Sequence, residues 1–300
     1  MNGYLNLLKP PGMSSGACVN IMKRLTGEKV GHAGTLDPEA AGVLPIMVGR
    51  SARLLEYFTD KSKTYIAEIA FAGATDTQDA QGVLTEEPTR VPEREEILAV
   101  LPRFTGTILQ RPPSYSAVKR DGRPLYALAR QGEMVQAEAR ETEIRELELM
   151  ECTGDGYMLR VDCGSGTYIR TLCHDMGQAL GAPAHMRFLL RTRHGCFALE
   201  NTVTLEEARD AAENGTLAKL LLPPDTPLQG LPRLDTPEKY KIPVLNGAKL
   251  PIALMPGLKE NESCRVYYRG TLTGVAHRAG TILRFDMGLM GEKEREELMK

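Results

Sequence analysis

Five prolines, at 223, 224, 227, 232 and 237, fall in one short stretch of this chain. Proline fixes its own φ, clashes with the preceding helical turn and has no N–H to donate, so neither a helix nor a central strand can run through this segment. A chain of 300 residues can bury one large core or two unequal ones, and the proline-rich stretch is where a division falls. Residues 1–228 are expected to form a large unit, 229–290 a small one and 291–300 a charged, solvated tail.

Before the division, helical and strand patterns mix without a regular βαβ alternation, which predicts an α+β architecture. Ser14 or Ser15 caps a helix with Cys18, Ile21, Met22 and Leu25 on one face and Gly27 past its end. Tyr65, Ala67, Ile69 and Phe71 alternate with Ile66, Glu68 and Ala70, which predicts a strand beginning at Tyr65. A second strand, Tyr157 to Cys163, leads through Gly164-Ser165-Gly166 into a helix striped by Ile169, Leu172, Cys173, Met176 and Leu180 and stopped at Gly181. Arg170 is expected in the first turn of that helix, off the buried stripe. After the division, Ile242–Leu245, Cys264–Tyr268 and Ile282–Met287 read as strands separated by Gly247, Gly257, Gly270, Gly274 and Gly280, a small β-rich module.

A formal net charge of −2 supplies no whole-chain attraction for a polyanion, so any such partner needs a local basic surface. The cysteines at 18, 152, 163, 173, 196 and 264 form no C-x-x-C pair, and no histidine stands at metal-ligand spacing, which disfavours a zinc site or a disulfide framework. The start lacks a basic region followed by an apolar run, and no stretch elsewhere approaches the ~18 apolar residues of a span. A soluble, unprocessed, cytoplasmic protein with reduced cysteines is expected.

The loop Gly31-His32-Ala33-Gly34-Thr35-Leu36-Asp37-Pro38 presents one acid. A residue before proline is pushed out of helical conformation, so Asp37 projects from extended backbone, and Gly31 and Gly34 let the loop bend tightly. By spacing alone an Asp-Pro pair also reads as an ordinary turn.

This run, continued through Glu39-Ala40-Ala41-Gly42-Val43-Leu44-Pro45, resembles the catalytic segment of the TruB-type pseudouridine synthases. Five further segments resemble that family in the same order: Lys9-Pro10-Pro11-Gly12-Met13-Ser14-Ser15, Lys63-Thr64-Tyr65, Thr75-Asp76-Thr77-Gln78-Asp79-Ala80-Gln81-Gly82, Arg111-Pro112-Pro113-Ser114-Tyr115-Ser116-Ala117-Val118-Lys119 and Gly166-Thr167-Tyr168-Ile169-Arg170-Thr171. Together they span most of residues 3–195. The tail resembles a PUA-type RNA-binding module less sharply, through Asn246-Gly247 and its glycine-punctuated strands.

The resemblance implies a pseudouridine-synthase fold, a mixed and mainly antiparallel sheet flanked by helices and loops, with a PUA-like C-terminal domain. It implies isomerisation of uridine at position 55 in the tRNA T-loop, with the base flipped out, detached, rotated and rejoined through C5. Asp37 matches the catalytic aspartate, acting either by attacking the sugar or by removing a ribose proton. Tyr65 matches the tyrosine that stacks on the flipped uracil, Arg170 the arginine that pairs with the aspartate, and Tyr168 lies at the substrate in the same segment. His32 matches a histidine that holds the distorted T-loop open, and Leu189 a wall of the uracil pocket. Lys9 and Pro10 are expected to brace the catalytic loop at the substrate. Leu8 stands where many relatives carry an aspartate, which puts any polar contact through that position in doubt.

For the RNA surface, Lys119, Arg120 and Arg123 fall in a thumb-like insertion at about 108–135, and Arg187, Arg191, Arg193 and His194 form a second basic cluster. The resemblance implies no metal, nucleotide or redox cofactor, a tRNA T-arm as partner, no required protein partner, and a monomer. Two other readings stand beside it: a guide-dependent synthase sharing the same loop and module, and a tRNA-binding chaperone without catalysis. A carboxylate hydrolase is weaker, because no second acid stands paired at a motif position.

Overall fold

The computed structural model describes residues 1–113, 115–116, 119–120, 122–124 and 137–300, with backbone alone at 119, 120 and 124. Much of the expected thumb, and the side chains of Lys119 and Arg120, lie outside the described residues. In the first part of the chain the strands are β1 (Gly3–Lys9), β2 (Val30–His32), β3 (Ala41–Val48), β4 (Lys63–Ala70), β5 (Ala74–Thr75), β6 (Leu84–Glu86) and β7 (Gly106–Gln110). Next come β8 (Lys119–Arg120), β9 (Arg123–Pro124), β10 (Arg140–Cys152), β11 (Gly156–Cys163), β12 (His185–His194) and β13 (Phe197–Ala198). Nine of these form one sheet in the order β1-β3-β12-β4-β11-β10-β7, with β2 added to β3 and β13 to β12. Every pairing in it is antiparallel except β12 with β3. The expected α+β architecture is the one observed.

The Ser15–Thr26 helix begins and ends where its chemistry dictates. The Ser14 hydroxyl accepts from the Ala17 N–H, and Gly27 closes the helix at φ 66°. Cys18 and Met22 bury against Leu5, Leu7, Leu44 and Ile46 from β1 and β3 in the main core. The Ile169–Ala179 helix covers the same sheet with Leu172, Cys173 and Met176 fully buried. Among the described residues no helix is long and apolar enough to cross a membrane.

The parallel β12–β3 contact is short, Leu190 opposite Ala41 and Arg191 opposite Gly42. Gly42 sits at φ +112°, and a Cβ there would lie 2.2 Å from the Arg191 carbonyl oxygen. Only glycine lets these two backbones approach so closely.

The second sheet draws all its strands from later in the chain: β14 (Arg233–Asp235), β15 (Leu250–Pro251), β16 (Ser263–Tyr268), β17 (Thr271–Ala279) and β18 (Ile282–Gly288), in the order β14-β16-β17-β18-β15. Two details depart from the sequence reading. Ile242–Leu245 is not a strand but part of the Lys241–Leu245 helix: Ile242 is 52% exposed while Val244 and Leu245 are buried, an arrangement that no period-two element gives. The middle strand β17 escaped notice because Gly274 interrupts its pattern. A Cβ at Gly274 would lie 2.1 Å from the Met287 carbonyl oxygen, so this glycine marks a close backbone approach inside a strand. The tail forms a helix, Glu292–Met299, with no buried residue.

The sheets meet through an apolar joint in which Leu54 and Leu228 pack on Tyr267, Leu272, Val275, Met287 and Leu289. Polar contacts edge it: the Tyr267 hydroxyl donates to Asp225, Arg233 stacks 3.9 Å from the centroid of the Tyr267 ring, and Arg50 donates to the Met290 carbonyl.

Gly42→Ala should lower unfolding free energy by at least ~2 kcal/mol, because the added methyl must displace the Arg191 backbone. Urea denaturation followed by circular dichroism measures this; a loss under ~0.5 kcal/mol would show that the β3–β12 contact relaxes at little cost.

Candidate active site

The loop between β2 and β3 is held by groups that satisfy its backbone one by one. The Ser15 hydroxyl accepts from the Leu36 N–H and donates to the Leu36 carbonyl, both at 2.9 Å, and the Leu36 side chain is buried beneath. Ala33 N–H donates to the Pro45 carbonyl at 2.9 Å. Two fully buried cations grip the carbonyls on either side of Asp37. Lys9 Nζ donates to Pro38 and Ala40 at 2.8 and 2.6 Å and to Pro10 at 2.7 Å; Arg191 donates to Gly34 at 3.0 Å, Thr35 at 3.5 Å and Val43 at 2.8 Å. Burial lowers the Lys9 pKa to about 8.

Asp37 faces Arg170 through both oxygens. Arg170 Nε lies 3.0 Å from Oδ2 and Nη2 lies 3.2 Å from Oδ1, the side-on fork that fixes a carboxylate's orientation. The arginine is 7% exposed at its side chain and the aspartate 37%, so the pair is sealed on one side and open on the other. Arg170 stands in the first turn of its helix, off the apolar stripe, yet it is buried through its contacts with Asp37 and the neighbouring loops. The helix that carries it starts directly under the catalytic loop, and the Gln110 side-chain amide, accepting from Tyr168 N–H at 2.9 Å and donating to the Tyr168 carbonyl at 3.1 Å, stands in for a capping side chain.

Sequence reasoning assigned no role to Asp79, although it lies in a quoted motif. Its Oδ2 is 3.3 Å from Arg170 Nη1, and its Oδ1 accepts from the Thr77 hydroxyl at 2.7 Å. The same guanidinium donates to the carbonyls of Thr77 at 3.2 Å and Tyr115 at 3.1 Å. Arg170 thus joins two other loops to the catalytic one. Burial pushes the Asp37 carboxyl above its usual range; Arg170 and Lys9 pull it down, Asp79 pushes it up, and the net direction is upward.

Tyr65, 6% exposed, stands on β4 opposite Arg191 of β12 and Val161 of β11. Burial raises its phenol pKa while Arg191 works against that shift. Leu189 shares the main core with Tyr65 and Leu36, so wall and core are here one surface. His32 ends β2 with Nδ1 buried and without a partner among the described residues, and burial beside Arg191 lowers its pKa and favours the neutral ring. Tyr168 is half-buried and under the charge of Arg170 and Asp37. Pro10 is half-buried at the foot of the loop.

Three expectations need correction. Lys9 braces the loop but is 0% exposed and presents nothing to a substrate. Arg191 is likewise 0% exposed, its guanidinium occupied by carbonyls, so it is no phosphate-facing surface charge. Nor is its neighbourhood a free basic cluster: Arg187 pairs with Glu68 and Asp155, Arg193 with Asp60 and Asp162, and His194 is buried. Alternation along β12 points part of the run inward, and carboxylates on neighbouring segments neutralise the rest.

Residues 22–169 match the family described as TruB family pseudouridylate synthase (N terminal domain), and residues 170–229 match the tRNA pseudouridylate synthase B C-terminal domain. The chain is similar to proteins named tRNA pseudouridine synthase B, among them that of Bacillus pumilus, 45% identical over 84% of this chain and 84% of its own length, and one of Pseudomonas putida, 45% identical over 82% of each. The crystal structure of a Cbf5-Nop10-Gar1 complex superposes with a TM-score of 0.74 at 27% identity, covering 98% of this chain and 86% of that one. A structure of an H/ACA RNP bound to a substrate RNA containing 2'-deoxyuridine gives 0.72 at 25% identity, over 97% and 86%.

The carboxyl geometry sets a sign. With its folded pKa raised, Asp37 should take up its proton at a higher pH than an ordinary aspartate, and Asp79→Asn, which removes a repelling charge, should move that midpoint down. Carboxyl 13C NMR titration reads both; an upward move in Asp79→Asn would contradict the arrangement.

Proposed function

This chain belongs to the TruB family of pseudouridylate synthases, and from that membership we propose that it isomerises uridine to pseudouridine in tRNA, at position 55 of the T-loop, without a guide RNA. The observation that carries the reading is Asp37: a partly open carboxylate, fixed in direction by a buried guanidinium, on a loop whose neighbouring carbonyls are held by two buried cations.

The target uridine must leave its stack for its sugar to meet this acid, because the C1'–N1 bond is inaccessible inside a folded loop. Tyr65 then offers an aromatic face to the extruded uracil, and Leu189 closes the apolar side of the pocket. His32, neutral and at the rim, occupies space the flipped nucleotide vacates. Asp37 acts at the ribose, either bonding to C1' or removing a ribose proton, and in both routes the C1'–N1 electrons leave with the uracil. The base rotates within the pocket and C5 bonds to C1' as the Asp37–C1' bond breaks or as Asp37 returns the ribose proton; the C5 proton is then lost, N1 regains a proton and Asp37 is left unchanged. Arg170 keeps the acid ionised and aimed through these steps.

Residues 229–290 act in this reading as a PUA-like module that holds RNA outside the reacting centre. The enzyme works as a monomer in the cytoplasm, with no protein partner. The guide-dependent alternative has one observation in its favour, the likeness to the Cbf5 complexes, and the higher identity to proteins named tRNA pseudouridine synthase B weighs against it.

Purified protein incubated with an unmodified tRNA transcript and no other RNA should form pseudouridine at the T-loop position, read by carbodiimide labelling and primer extension. Asp37→Asn should abolish this while leaving tRNA affinity within about tenfold, ~1.4 kcal/mol. Product formed only when a second RNA is added would favour the guide-dependent reading, and equal inactivity of wild type and variant on authentic substrate would favour a chaperone.

A further inference from the structure

Lys63 opens β4 two residues before Tyr65, and alternation along a strand puts both side chains on one face of the sheet. The lysine runs beside the Gly34 turn. A Cβ placed on Gly34 would lie 3.4 Å from Lys63 Cε, 3.0 Å from His194 Cε1 and 3.5 Å from Arg191 Nη1. Three basic side chains thus converge on one point three residues before Asp37.

Among the described residues no carboxylate pairs with the two cations of this group. Arg187 and Arg193 on the same strand each have carboxylate partners, whereas among the described residues neither Lys63 nor Arg191 has a carboxylate within ion-pair distance. Arg191 is matched by carbonyls. The Lys63 ammonium reaches one weak acceptor, the Lys61 carbonyl at 3.5 Å. His194 is 4% exposed with Nδ1 unpartnered, and burial with the two cations lowers its pKa to about 2, so it is neutral and adds no charge of its own. Burial and Arg191 together also pull the Lys63 pKa down. A half-buried ammonium next to a guanidinium, with no counter-charge, is an unfavourable arrangement in the free protein that an incoming anion relieves.

The place of that anion follows from the surrounding groups. Lys63 Cε lies against the Gly34 turn, three residues before the acid. It shares β4 with Tyr65, and the residue after Gly34 in the chain, Thr35, is exposed. A nucleotide with its sugar at Asp37 and its base on Tyr65 carries backbone phosphates to either side of that sugar. We infer that Lys63 is a substrate-binding residue that receives a backbone phosphate flanking the flipped uridine. The inference rests on the tRNA reading above and adds to it the group that holds the extruded nucleotide's backbone.

The test uses full-length protein and a T-arm RNA hairpin. Lys63→Gln should weaken binding roughly tenfold and reduce the slope of log affinity against log salt by about one, while Lys63→Arg retains both. Hairpins carrying a neutral methylphosphonate at the phosphate 5' or 3' of the target uridine give a second arm independent of the variants' folding. One of the two should bind wild type about tenfold more weakly than the natural RNA and bind Lys63→Gln no more weakly than the natural RNA does. Wild-type protein that tolerates both neutral linkages, or a penalty that is the same in wild type and Lys63→Gln, would overturn the assignment to lysine. Wild-type protein that forms no pseudouridine in the natural hairpin or in full tRNA would instead fail the reading on which it rests.

Discussion

The Arg170 guanidinium is the constraint around which the site is built. Its nitrogens contact Asp37, Thr77, Asp79 and Tyr115, groups from three segments of the chain. A charge this deeply buried is tolerable only when its donors are satisfied, and removing one partner of such a pair typically costs ~3–5 kcal/mol. The same condition that makes the residue stable makes the catalytic acid precise: the loops must come together to satisfy the arginine, and once together they leave Asp37 a single orientation.

Around that pair the chain uses cations on carbonyls where it could have used more ion pairs. Lys9 and Arg191 bind backbone oxygens on either flank of Asp37. Carbonyls fix geometry without cancelling charge, so these two cations keep theirs although the whole chain is slightly acidic. Further along β12, Arg187 and Arg193 are neutralised by carboxylates. Charge is thus left uncancelled beside the acid and cancelled away from it, which the whole-chain balance alone could not reveal.

The sequence was most legible where a single local rule governs. Ser14 and Gly27 bound their helix because capping is a matter of a few consecutive residues, and the alternation from Tyr65 marked its strand within two residues of the observed start. The segments that resemble a known family located Asp37, Tyr65 and Arg170, which the fold brings to one cleft. Less legible were features set by distant partners. The local pattern puts Arg170 off its helix's apolar stripe and gives no sign of its burial by Asp79 and Tyr115; Arg191 reads as a surface charge until the carbonyls of Gly34, Thr35 and Val43 are brought to it. Ile242–Leu245 was ambiguous because four apolar residues fit either period, and β17 was obscured by a glycine whose purpose is the neighbouring strand.

The order β3-β12-β4 has a consequence for how this protein is made. Two strands that leave the ribosome early are separated in the finished sheet by one that leaves much later, and the strand arriving between them also brings Arg191 to the catalytic loop. Until then β3 and β4 each present an unpaired edge, the kind of surface on which chains stick to one another. A partly synthesised molecule therefore has its acid but not the brace that steadies it, and meets the cell as a client for chaperones before it can act as an enzyme.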